Sequence, residues 1–551
     1  MKPALKSSLL TLALGFTLAA SAQDAQDDVP RGWHLKDFQK DGYYGISLDK
    51  AYEFLKNKKN NTVIVAVIDS GIDTTHEDLK TVLWTNAKEI PGNGVDDDKN
   101  GYIDDVHGWN FLGGKDGRNV EEDSYEAARV YHQYKLRFGK ITDPTALSAE
   151  DRKSYNMWKK AEQQVVGEGK TNGLELLVMR RSYMAMTASD SLLRKAIGKE
   201  TFTGKELEAY TPATEELKRA KSTFLYFFTV NNIMDVTNTS FLGDFKTYLD
   251  SEEKKAEAAE KAPRDYRGEI VKDNYHDLND RYYGNNDIMA GTPLHGTHVS
   301  GIIAAVRNNG KGVDGIANNV RIMSLRAVPD GDEHDKDIAL AIRYAVDNGA
   351  KVINMSFGKG FSPEKNWVDD AVQYAEEKGV LLVHAAGNNS DNSDSTDNFP
   401  NPSNINNGKR ASNWLTVGAS GDPKAGGLVA YFSNFGKNEV DVFAPGVKIY
   451  STVPTKNQYL NEDGTSMASP VVAGVAALIL SYYPDLTPHQ VKTIIENSSV
   501  KPTVQFKGPG EEGTNVKLSD ISRSGGIVNA FEAIKLADSI SKANGKKPQK
   551  R

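Results

Sequence analysis

The run Thr62-Val-Ile-Val-Ala-Val-Ile68 is apolar at every position after its threonine. A strand with one wet face alternates apolar and polar residues. A run apolar throughout suits a strand buried on both faces, and such strands belong to parallel sheets. The same rhythm returns later in the chain. Residues 319–328, 351–355, 380–384, 415–419 and 439–443 read as strands. Residues 337–348 and 363–378 read as helices, closed by Gly349 and Gly379. Alternating strands and helices with glycine stops predict an α/β fold, a parallel sheet with helices on both faces.

In open α/β sheets the functional residues collect at the carboxyl ends of the strands. Asp69 ends the first strand, although a strand-end turn residue would look the same. Gly464-Thr465-Ser466-Met-Ala-Ser-Pro470 leads into the apolar segment 471–480. This places Ser466 near a helix start, where free backbone N–H groups can hold a negative oxygen. Pro470 is expected in the tolerant first turn. Taken alone, Ser466 reads far sooner as an ordinary helix-capping serine than as a nucleophile. The company decides. His295 opens the helical run 302–306, and Asn388 follows a strand in Ala385-Ala-Gly-Asn388. Amide hydrolysis needs a nucleophile, a base, a group to orient the base, and oxyanion donors. Ser466, His295, Asp69 and Asn388 fill those roles in that order, with the Ser466 N–H as a second donor. The chain order Asp, His, Ser is the one found in subtilisin.

Val67-Ile-Asp-Ser-Gly-Ile-Asp73, His295-Gly-Thr-His-Val-Ser-Gly301 and Gly464-Thr-Ser-Met-Ala-Ser-Pro470 resemble the three active-site motifs of the subtilisin-like serine proteases, the subtilases of peptidase family S8. Ala385–Asn388 resembles the oxyanion motif, and Asn354-Met-Ser356-Phe-Gly358 the substrate-binding strand. The resemblance covers about 45–118 and 283–540. It implies a three-layer α/β/α sandwich and endopeptidase cleavage through an acyl-enzyme. It also implies pairing of the substrate backbone with Ser356, Phe357 and Gly358. The rival reading is an idle subtilase fold that binds or chaperones through its insertion; the presence of all four chemical groups argues against it. Asp391, Asp394, Asp397 and Asn398 sit on a loop that in the family borders the primary specificity pocket. They either favour basic or polar side chains or form an acidic solvated loop.

No catalytic cofactor is expected, but structural Ca2+ is. Asp96, Asp98 and Asn100 alternate before Gly101, as in the first positions of an EF-hand-type loop. The twelfth position holds His107 rather than Glu, and Asp104 or Asp105 is the candidate replacement. An acidic Asn/Gly-rich turn fits the same residues. The resemblance implies a second site at Asp78 and the loop 306–312, with Asn308 as its side-chain ligand.

The chain departs from the family in that His295 follows Asp69 by 226 residues. Residues 120–272 are rich in Glu, Lys, Ala and aromatics and read as a helical insertion, with helical stripes at Tyr155, Trp158 and Val165 and at Leu217, Phe224, Leu225 and Phe228. The expected catalytic domain is therefore split, 45–119 and 273–541. The insertion is expected to restrict bulky folded substrates; unchanged relative cleavage of large and small substrates after deletion of 122–272 would refute this.

Lys2 and Lys6, the apolar run 9–20 and Ala20-Ser-Ala22 make an export signal over 1–22, leaving an arm over 23–44 along the surface and a basic tail at 542–551. There is no room between Ala22 and Leu48 for the family's usual pro-domain, so folding without one is expected. No later run reads as long enough to span a membrane, the best being 471–480. The net charge of −7 argues against nucleic-acid binding, and the absence of cysteine excludes disulfides and thiolate chemistry. The expected partners are polypeptide substrates of a monomer in the periplasm or outside the cell.

Overall fold

The computed structural model describes residues 29–545 apart from 168–172, 231–232, 235, 292, 406 and 511–514. The signal segment 1–22, the start of the arm and residues 546–551 of the tail lie outside the described residues. Seven strands form one sheet: β1 (Val63–Asp69), β2 (Gly108–Asn110), β3 (Val320–Arg326), β4 (Val352–Met355), β5 (Leu381–Ala385), β6 (Trp414–Ser420) and β7 (Val442–Pro445). Their order is β2-β3-β1-β4-β5-β6-β7, and every pair is parallel. The predicted strands are all present, with ends moved by a few residues; the most displaced is 439–443, which forms as Val442–Pro445.

Successive side chains of a strand point to opposite faces, and here both faces are apolar. Val63, Val65 and Val67 of β1 enter one core with the helices Leu294–Ala304 and Thr465–Tyr482. Ala66 and Ile68 enter the other with the helices Asp335–Asp347 and Lys365–Glu377. That is the three-layer α/β/α sandwich. Beside it, β8 (Ile449–Val453) and β9 (Gln458–Glu462) form an antiparallel hairpin that leads into Ser466.

Three expectations need correction. The arm is not confined to the surface: Trp33 is fully buried and donates from Nε1 to the Val447 carbonyl at 3.0 Å. Residues 542–545 are not tail but the end of the helix Ala530–Gly545. The apolar run at 471–480 belongs to an 18-residue helix, Thr465–Tyr482, which is long and apolar enough to cross a membrane; it is 89% buried in this protein and serves as the central core helix. Its Gly474 lets Ile316 close in, since a Cβ there would lie 2.8 Å from that side chain.

Contacts divide the chain into two units. One, described above, comprises, among the described residues, 29–126 and those from Arg264 onward. Residues 120–126 and 264–272, assigned from the sequence to the insertion, belong to it. The other is all-helical and spans Ala127–Pro263, with helices Ala149–Val166, Gly173–Ile197, Glu215–Val230 and Asn238–Glu260 among its elements. Phe202, Phe224, Phe228, Phe241 and Phe245 form its main core. Tyr155 and Trp158 pack with Phe138 in a second aromatic group.

Candidate active site

The candidate residues come from four elements whose ends meet at the carboxyl edge of the sheet. Asp69 is the last residue of β1. His295 and Ser466 are each the second residue of a helix, Leu294–Ala304 and Thr465–Tyr482. Asn388 lies three residues past β5.

His295 donates from Nδ1 to Asp69 Oδ1 at 2.8 Å, and the Ser70 N–H donates to the same oxygen at 2.7 Å. The approach needs Gly296: a Cβ there would lie 2.1 Å from the Gly71 carbonyl oxygen. Thr297 fixes the helix to the turn after β1, accepting from the Asp73 N–H at 2.9 Å. With Nδ1 committed as donor, Nε2 is left as the basic nitrogen. Burial pulls the His295 pKa down, but the Asp69 charge and hydrogen bond, helped by Glu462, outweigh it and hold it above the ordinary imidazole value. His298, one turn on, has the opposite fate: burial lowers it to about 4. It is neutral through the working range and bonds by Nε2 to the Leu460 carbonyl at 3.2 Å.

The start of the serine helix is organised by four hydrogen bonds. Asn388 Oδ1 accepts from the Thr465 N–H and the Thr465 hydroxyl, each at 2.9 Å. The Met467 and Ala468 N–H groups donate to the Gly464 carbonyl. Among the described residues, the Ser466 N–H is then the first-turn donor left over, and the clamp on Asn388 Oδ1 leaves the Asn388 Nδ2 hydrogens available. Both donor nitrogens lie near the side-chain-free position at Gly464, where a built Cβ would be 3.5 Å from Ser466 N, 3.6 Å from Asn388 Nδ2 and 3.5 Å from Met467 Sδ. Gly464, not Ser466, is the cap residue.

Pro470 is the sixth helical residue rather than a first-turn one. Its missing N–H would have paired with the Ser466 carbonyl. That carbonyl instead accepts from the Ser356 hydroxyl at 2.9 Å. The Ser356 hydroxyl in turn accepts from Asn354 Nδ2 at 3.0 Å, and Asn354 Oδ1 accepts from Ser469 at 2.8 Å. The proline thus frees a carbonyl that ties the serine helix to the end of β4. The Ser466 hydroxyl donates to the Ser356 carbonyl at 3.2 Å. A cleft of about 810 Å³ opens beside Asp69, His295 and Ser356, walled by Glu121, Tyr266 and Arg326.

The acidic loop 96–105 gathers Glu89, Asp96 and Asp98, whose carboxylate oxygens lie within 4.8 Å of one another. Asn100 bonds to the Asp96 and Asp98 carboxylates through its backbone N–H. Neither Asp104 nor Asp105 takes the twelfth-position role: Asp104 accepts from the Asn93 and Gly94 N–H groups, and Asp105 from Asn86, Asn100 and Tyr344. Glu89 comes from before the loop, so a motif read forward from Asp96 misses it. Three clustered carboxylates suit a hard divalent cation. The Asp78 site does not fit one. Asn309, not Asn308, brings its side-chain amide to Asp78 Oδ1, Tyr459 donates to Oδ2 at 2.8 Å, and Lys311 pairs with neighbouring Glu77. Asn308 contributes a backbone N–H to Asp314 at 2.7 Å.

A family model described as the subtilase family, Peptidase_S8, matches residues 60–526. The chain is 43% identical over 218 residues to a thermophilic serine proteinase of Bacillus sp. (strain AK1), covering 39% of this chain and 48% of that protein. It is 41% identical over 209 residues to subtilisin DY of Bacillus licheniformis, covering 37% and 70%. It is 36% identical over 240 residues to an extracellular protease of Xanthomonas campestris pv. campestris, covering 40% and 39%. The match thus spans about half of the first relative's length.

Proposed function

The chain belongs to the subtilase family, and on that premise we propose that it is an exported serine endopeptidase in which Asp69, His295 and Ser466 act as a triad and Asn388 as oxyanion donor. The observation that carries the reading is proximity: the Asp69–His295 bond of 2.8 Å orients a basic Nε2, while Ser466 N and Asn388 Nδ2, with Met467 Sδ as a third neighbour, lie 3.5, 3.6 and 3.5 Å from the Cβ position of Gly464. Ser466 turns about χ1 from the Ser356 carbonyl to His295 Nε2 as substrate arrives; such catalytic bonds commonly tighten only in the complex. The Ser466 oxygen attacks the peptide carbonyl carbon, and its proton passes to His295 Nε2. Asp69 stabilises the imidazolium, and the carbonyl oxygen, now negative, takes the two donors. His295 returns the proton to the leaving amine, and water repeats the sequence on the acyl-enzyme. The substrate backbone lies against Ser356–Gly358 as an added strand.

Export is supported by the signal pattern at 1–22 and by a relative named as extracellular. We assign structural Ca2+ to Glu89, Asp96 and Asp98, where it offsets the repulsion of three close carboxylates. A fluorophosphonate probe tests the central reading. The full chain is expected to label, and Ser466→Ala and His295→Ala are expected not to; a folded wild-type protein that neither labels nor cleaves casein would overturn it.

A further inference from the structure

The pairing of β4 with β5 ends at Met355 and His384. One continues as Ser356-Phe357-Gly358 and the other as Ala386-Gly387-Asn388, leaving a slot between them with Ser466 held at its end by Ser356. Gly358 leaves room for Asn398 on one wall, whereas a Cβ on Gly387 would first meet Asn434 Nδ2, at 2.4 Å. Asn398 fills the slot. Its Nδ2 donates to the Ala386 carbonyl at 2.9 Å. Its Oδ1 lies 2.5 Å from a Cβ built on Gly358, and its Nδ2 lies 3.5 Å from one built on Gly387. The side chain therefore touches both walls. Of the four polar residues on this loop that the sequence marks near the specificity pocket, Asn398 bridges these walls. Asp394, by contrast, accepts from the Asn438 and Glu439 N–H groups on the loop's other side.

Asn398 is also held from behind. Phe399 and Lys359 exchange backbone hydrogen bonds at 2.8 and 3.0 Å, fixing the loop beside Gly358. A cavity of about 350 Å³ is lined by Asn398 together with Ala386, His384, Thr416 and Phe399.

We infer that Asn398 is a specificity-determining residue that closes the acyl-side pocket, so that the enzyme cleaves after small residues (Gly, Ala or Ser). This rests on the endopeptidase reading above. The carbonyl under attack sits between Ser466 N and Asn388 Nδ2, so the residue carrying it stands at the mouth of the slot. With its backbone paired to Ser356–Gly358, its side chain points between the walls. A methyl or hydroxymethyl group stops short of the Asn398 amide. A longer side chain must displace that amide, breaking its bond to Ala386 and leaving a desolvated polar group unpaired. The space a large side chain needs exists in the adjoining cavity, with Asn398 in the way.

The test compares peptide anilides identical except for Ala, Leu or Phe at the acyl position, using the full chain, Asn398→Gly and the shorter Asn398→Ser. Wild type is expected to favour Ala over Phe in kcat/KM by about 10-fold or more, in the range that single pocket groups command. Asn398→Gly is expected to lower that ratio at least about 10-fold by raising the Phe value, with Asn398→Ser between. Fluorophosphonate labelling reports that each variant is folded with Ser466 reactive; if Asn398→Gly does not label, Asn398→Ser is judged by the same direction of change. A wild-type preference for Phe or Leu overturns the inference. So does an unchanged ratio in a variant that labels at the wild-type rate. A wild-type chain that neither labels nor cleaves any of the anilides sinks the endopeptidase reading instead, and this inference with it.

Discussion

In the proposed mechanism, Gly464→Ala places one methyl group where the negative oxygen is expected to form. The added Cβ would lie 3.5 Å from Ser466 N and 3.6 Å from Asn388 Nδ2. An oxyanion needs about 2.7–3.1 Å from the same two donors, so methyl and oxygen compete for one space. Losing a single donor costs about 10²–10³ in kcat, a range known from subtilisin's own side-chain donor. Impairing both should cost about 10³ or more, equivalent to about 4 kcal/mol in the barrier. KM should change less, because the oxyanion exists only beyond the ground state. A separate effect accompanies this one. Gly464 has φ 156° and ψ 157°, a region essentially reserved for glycine, so the alanine variant should also lose about 1–3 kcal/mol of stability. Peptide-anilide kinetics measure the first effect and urea unfolding the second. A variant that is folded under assay conditions yet keeps more than about a tenth of wild-type kcat would refute the placement of the oxyanion beside Gly464.

Asn388→Ala should lower kcat by about 10²–10³, with little change in the chromatographic or spectroscopic signs of folding. Glu462→Gln removes a charge that raises the His295 pKa; the imidazolium is then less favoured, and the acid limb of kcat/KM should move to lower pH, while a shift upward or none would contradict the coupling. Arg267 is buried between Asp337, at 2.6 Å, and Asp273, at 2.8 Å. Arg267→Ala leaves Asp337 without its ion pair, and chemical denaturation should show a loss of about 3–5 kcal/mol; a loss below about 1 kcal/mol would be inconsistent with that network. Chelation of calcium should lower the unfolding midpoint of the wild type and leave Glu89→Gln unaffected, because only a ligand held by the native state stabilises it.

The sequence determined the architecture and the chemical groups, because both are written in local patterns. The unbroken apolar run of β1 can be satisfied only by burial on two faces, and glycine stops mark where helices end. Asp69, His295, Asn388 and Ser466 were legible because each sits at the end of such an element within a distinctive motif. What the sequence left open depends on contacts between distant segments. Nothing near Pro470 says that the carbonyl it frees will receive Ser356, 110 residues away. Asn308 and Asn309 are equal as letters; the turn of the backbone, with φ 58° at Asn308, sends Asn309 to Asp78. Glu89 joins Asp96 and Asp98 because the chain doubles back, and no periodicity records a reversal. Asn398 is the sharpest case. On the page of letters it ends an acidic loop, and only the folded chain brings its amide against Gly358 and the Ala386 carbonyl. Local patterning fixes what each segment is, because its cause lies within a few residues. Which side chains meet is fixed by packing, and packing exists only once the whole chain has closed.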